Sequence, residues 1–97
     1  MNCIFENGYP TTSQPTKMVG FADGPQQCAE IVLQFAIMQR QHFVNGASWN
    51  LLDKKCLAQF TISSIEKDDF SPYQTCLFKG NYMILSKVVL LFKNLPK

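Results

Sequence analysis

The sequence predicts an α+β domain: an antiparallel sheet of four to five strands with one long helix, over about residues 25–44, packed on one face. Three observations predict it. A helix-period stretch runs from Asp23 to Gly46 with its own start and stop signals, short strand-like segments flank it on both sides, and the chain ends in a hairpin pattern. Ninety-seven residues are enough for one domain with a core of its own, so the whole chain, 1–97, reads as a single unit.

Cys3-Ile4-Phe5 reads as a short first strand. Asn7 to Thr16, with two prolines, reads as a turn-rich loop, and Lys17 to Ala22 as a second strand able to pair back on the first. The helix opens at Gly24-Pro25, where proline's fixed φ suits a first turn, and Asn45-Gly46 reads as its stop. Gln27, Glu30, Gln34 and Gln41 form one narrow polar stripe. Cys28, Ile31, Val32, Phe35, Ala36, Met38 and Phe43 cover the opposite arc, with Leu33 and Ile37 on its flank. An arc that wide needs a sheet, or a sheet and a partner, to cover it.

Ala47 to Leu57 admits two readings. Ser48 caps a short helix carrying Trp49, Leu51, Leu52 and Leu57, or the segment is an ordered loop. From about Ala58 the pattern turns to period two through Ser64, a strand, followed by a charged turn at Glu66 to Asp69 and a loop, Phe70 to Tyr73. Thr75 to Phe78, a turn at Lys79-Gly80-Asn81 and Tyr82 to Phe92 read as a final hairpin. The last strand is apolar on both faces, which places it centrally or under cover. The predicted order is β-β-α-β-β-β.

Composition excludes several functions. Hydrophobic residues are 46% of the chain, too many for a disordered segment. Charged residues are only 16%, so uncharged polar side chains or a partner must cover much of the surface. The net charge is +2, with Arg40 the one arginine and the lysines dispersed, which argues against a dedicated duplex-DNA binder. The most apolar run, Tyr82 to Phe92, is about 11 residues, short of the roughly 20 a spanning helix needs, so no membrane partner is expected.

Cys3, Cys28, Cys56 and Cys76 form no CxxC pair, which excludes zinc ribbons and thioredoxin-type sites. Met1 to Pro10 has neither the basic start nor the long apolar run of a secretory signal. The expectation is therefore a cytoplasmic protein with free, buried thiols.

No residue set carries catalysis. His42, the single histidine, has no sequence-linked nucleophile and reads as a partly buried cap on the helix end. Glu66, Asp68 and Asp69 lie beside Lys67 in what reads as a solvated turn, not a metal site. The glycines form no phosphate-binding loop. No catalytic residue, metal ligand or cofactor is expected.

What remains is binding, with a thiol enzyme or redox sensor on an exposed thiolate of one of the four cysteines as a third reading. Trp49, Phe70, Pro72 and Tyr73 are the expected partner-binding residues, because aromatic side chains bury much area at small entropic cost and proline orders the loop beside them. The expected function is a small non-enzymatic interaction domain. It would bind a larger protein, and inhibit or modulate it as viral or phage accessory proteins do, or it would form a homodimer. The alternative is a single-stranded nucleic-acid-binding module using Lys67, Lys79, Tyr82 and Lys87.

Overall fold

The computed structural model describes residues 3–11 and 16–78. In chain order these form β1 (Glu6–Pro10), β2 (Lys17–Phe21), α1 (Pro25–Met38), β3 (Val44–Asn50), β4 (Lys55–Phe60), β5 (Ile65–Lys67) and β6 (Tyr73–Leu77). The strands make one antiparallel sheet, ordered β2-β4-β3-β6-β1-β5, with α1 on one face. This is the expected α+β class with six strands among the described residues, in place of four to five. The expected final strand, Tyr82 to Phe92, and its turn lie outside the described residues.

The helix is shorter than its sequence pattern implied. Pro25 occupies the first turn, and Gln27 Oε1 accepts a hydrogen bond from the Asp23 N–H at 2.6 Å. The stop comes at Met38, not at Asn45-Gly46. Arg40 adopts φ 53, its N–H reaches Ile37 O at 3.3 Å, and the Gln41 N–H reaches Ala36 O at 2.8 Å. This paired closure is a Schellman motif with arginine in the left-handed position usually filled by glycine. Gly46 serves β3 instead. A Cβ there would lie 2.5 Å from Cys76 O and 2.8 Å from Ile62 Cδ1, so the close approach of those groups depends on its absence. His42 lies beyond the helix and is exposed rather than part of a cap.

Residues 47–57 are not a helix but the inner arms and the turn of a β3–β4 hairpin. Trp49 pairs with Cys56, Ala47 with Ala58, and Ser48 with Leu57. The connecting turn is set by Asn50, whose Oδ1 accepts from the N–H groups of Leu52 at 2.8 Å and Asp53 at 3.2 Å. Two other expectations shift. The first strand is Glu6–Pro10, inside the presumed loop, and Glu66-Lys67 lie in β5 rather than in a turn.

Alternation along β3 divides the sheet into two different faces. Ala47 and Trp49 point toward α1 with Cys56, Ala58 and Cys76, and Cys28, Ala29, Val32 and Ala36 meet them from the helix. Most of these side chains are small, so helix and sheet pack closely around one large residue, Trp49. On the far face Ser48, Gln59 and Thr75 are fully buried and hydrogen-bonded in series. Gln59 Nε2 donates to Ser48 Oγ at 2.9 Å, Ser48 Oγ and Thr75 Oγ1 are 2.7 Å apart, and Thr75 Oγ1 donates to Gly8 O at 2.9 Å.

The four cysteines are not free thiols. They form two disulfides, Cys3–Cys76 and Cys28–Cys56, each with its Cα atoms 5.4 Å apart. Cys28–Cys56 ties α1 to β4, and Cys3–Cys76 ties the segment before β1 to β6. Both lie on the helix face.

Candidate functional surface

Register places three connections at one end of the sheet. Asn50 pairs with Tyr73 and Phe21 pairs with Lys55, so the β3–β4 turn, the β5–β6 loop and the end of β2 share that end. Four large apolar side chains are exposed there: Phe21, Leu51, Leu52 and Phe70. Phe70 is the extreme case at 96% exposed.

The two loops that carry three of them are tied together and individually braced. The Leu51 N–H donates to Pro72 O at 2.8 Å, which joins the turn to the loop. Within the loop, Asp68 Oδ1 accepts from the Phe70 N–H at 3.0 Å, and Asp68 O accepts from the Ser71 N–H at 3.1 Å. The Asp68 N–H donates to Asn7 O at 2.9 Å, and Ser71 Oγ accepts from the Tyr73 N–H at 3.1 Å. Every bond here holds backbone, so the loop displays Phe70 from a fixed frame. Tyr73 is half-buried, its ring edge-on to Tyr9 with centroids 4.7 Å apart.

The sequence-predicted site therefore divides. Phe70, Pro72 and Tyr73 lie together on this loop. Trp49 does not join them at the surface. It is 4% exposed, and its Nε1–H donates to Ala22 O at 2.9 Å. Lys54 lies over the ring, its Nζ 4.9 Å from the ring centroid. Trp49 is a core residue that anchors the chain between β2 and α1. Leu51 and Leu52 went unrecognised because residues 47–57 were read as helix or loop, and Phe21 because it read as one more residue of the strand Lys17 to Ala22. The flanking Asn50 and Asp53, both turn formers, were the available signal.

Of the alternative nucleic-acid set, Lys67 pairs with Glu6 across β1 and β5, Nζ to Oε1 at 3.1 Å. Lys79, Tyr82 and Lys87 lie outside the described residues. The acidic residues Glu66, Asp68 and Asp69 are exposed, and among the described residues no group of three His, Cys, Asp or Glu side chains is placed to hold a metal. Among those residues too, no helix is long and apolar enough to cross a membrane.

A concavity of about 390 Å³ lies between β2 and α1. Met18, Val19, Ile31, Phe35 and Met38 line it, with Lys17 and two glutamines at its margin. It is shallow and apolar, and it contains no nucleophile or carboxylate. Comparison with protein-family models, with curated proteins and with solved structures gives no match.

Proposed function

We propose that this chain is a non-enzymatic interaction domain that binds a larger protein through Leu51, Leu52 and Phe70, with Pro72 and Tyr73 as the braced support beneath them. One observation carries the reading: a phenylalanine held 96% exposed by a loop whose backbone is hydrogen-bonded at nearly every step. Displaying a large apolar ring to water is unfavourable by about 1.5–3 kcal/mol relative to burying it. A loop ordered before binding avoids much of the entropic cost of association. Order around an exposed aromatic is thus the arrangement a binding anchor needs, whereas a disordered tip would let the ring fold back.

The test compares the chain with the Phe70→Ser/Leu52→Ser double variant in affinity capture from nuclease-treated material of its native source. The expected result is one stoichiometric protein that the double variant loses and Lys67→Glu retains, with both variants melting like the parent. Binding that nuclease or moderate salt abolishes, or that Lys67→Glu removes, overturns the reading in favour of nucleic acid. A parent chain that sediments as a dimer, with Phe70→Ser returning it to monomer, would identify the partner as a second copy.

A further inference from the structure

All four cysteine side chains are withdrawn from solvent. Cys28, Cys56 and Cys76 have no exposed surface, and Cys3 has 5%. Four cysteines permit three pairings, and the fold uses the nested one, 28–56 enclosed by 3–76. The two bonds span 73 and 28 residues of sequence, so each closes a long loop. Each also crosses between elements: one joins helix to sheet, the other joins the segment before β1 to a central strand. Disulfides in such positions form and persist where the surroundings oxidise thiols, and they are rare where glutathione and thioredoxin keep thiols reduced. The cytoplasmic placement expected from the sequence carried free thiols with it, and the four cysteines are instead bridged.

We propose that this chain matures by thiol–disulfide exchange in an oxidising compartment, and that both bonds are permanent staples rather than redox switches. In each exchange one cysteine thiolate attacks a sulfur of the donor disulfide. A mixed disulfide forms and one donor thiol leaves. The second cysteine thiolate then attacks its partner's sulfur in that mixed disulfide and expels the second donor thiol. Each cysteine pair gives up two electrons and two protons, and the donor disulfide is reduced to two thiols. A switch must present a sulfur to its reductant. Here no sulfur is reachable until the helix leaves the sheet or the segment before β1 leaves β6.

The experiment dilutes reduced, denatured full-length chain into a buffer of reduced and oxidised glutathione, with a parallel sample in dithiothreitol. Free thiols are blocked before peptide mass mapping. The expected product carries only the 3–76 and 28–56 bridges and unfolds cooperatively, while the dithiothreitol sample does not. Reduction of the native product by millimolar dithiothreitol should be slow, and should accelerate at least about tenfold as denaturant approaches the unfolding midpoint, because opening limits it. Two results overturn the proposal. One is chain from its native source that takes four alkyl groups when thiols are trapped at lysis. The other is rapid reduction of either bond under native conditions at a rate that ignores denaturant. The double variant Cys28→Ala/Cys56→Ala adds a folding readout, and the wild-type reduction rate decides the matter even if that variant does not fold.

Discussion

Asn45 holds Ile62 by both ends of its side-chain amide. Nδ2 donates to Ile62 O at 2.7 Å, and Oδ1 accepts from the Ile62 N–H at 3.0 Å. Asn45 thereby acts as a strand partner for a residue that follows the end of β4, where Thr61 turns the chain at φ 50. The Ile62 side chain is set against Gly46 and is buried. This one amide directs the chain from β4 back across the sheet toward β5.

Asn45→Ala should therefore destabilise the domain by about 1–3 kcal/mol, the cost of two part-buried hydrogen bonds and two orphaned backbone groups. Asn45→Asp should cost at least as much at neutral pH, because a carboxylate oxygen would face Ile62 O where an N–H now donates. Urea unfolding measures both. An aspartate variant as stable as the parent would contradict this account.

Trp49 and Phe70 should separate stability from binding. Trp49→Phe deletes the bond to Ala22 O and weakens the contact with Lys54, and should lower stability by roughly 1–3 kcal/mol. Phe70→Ser should leave stability within about 0.5 kcal/mol, because the ring touches almost nothing it could lose. The same pair assayed against a captured partner should show the reverse order, with Phe70→Ser the damaging change.

Arg40→Gly should stabilise the domain by about 0.5–1 kcal/mol. The site is left-handed at φ 53, where a Cβ is unfavourable, and the gain exceeds the added freedom of the unfolded chain. Arg40→Val should destabilise, since a β-branched residue tolerates that φ worst. Thermal melts of both variants give the two signs directly.

Gln59 is fully buried, yet its Oε1 has no hydrogen-bond partner among the described residues. Gln59→Met keeps the volume and removes that orphan acceptor, while Ser48 and Thr75 keep their mutual bond. The substitution should be neutral or stabilising by up to about 1 kcal/mol. A loss above about 2 kcal/mol would mean that the amide nitrogen's bond to Ser48 outweighs the orphan.

The helix and its burial on a sheet were legible because Pro25 and the Glu30–Gln34 stripe are local signals. The helix stop was not. Arginine at a left-handed position carries no compositional mark, so the first visible glycine, Gly46, drew the boundary into what is β3. β1 was hidden because Gly8 and Pro10 read as turn residues. They are tolerated where Gly8 takes φ 146 beside β5 and Pro10 ends its strand. β5 was hidden because its charges read as a turn, although a short charged strand suits a sheet edge. The disulfides leave no spacing signature at separations of 73 and 28 residues. Of the candidate site, Phe70, Pro72 and Tyr73 were legible as aromatics about a proline. Trp49 was not separable from them, because a tryptophan serves a core and an interface equally well. The alternation of Ala47 and Trp49 with Ser48 and Asn50 was the strand signal that decides it.

The position of β6 has a consequence for how the sheet comes together. It is the last described strand in sequence, yet it lies between β3 and β1 and bonds to both. Without β6 the described ladders fall into two separate sets, β2-β4-β3 beneath the helix and β1-β5. Among the described residues no other hydrogen-bonded ladder connects them. The strand that unites them also carries Cys76, the bridge partner of Cys3, so ladder and crosslink join at the same strand. Docking of β6 is therefore the step that makes one sheet out of the two sets of strands.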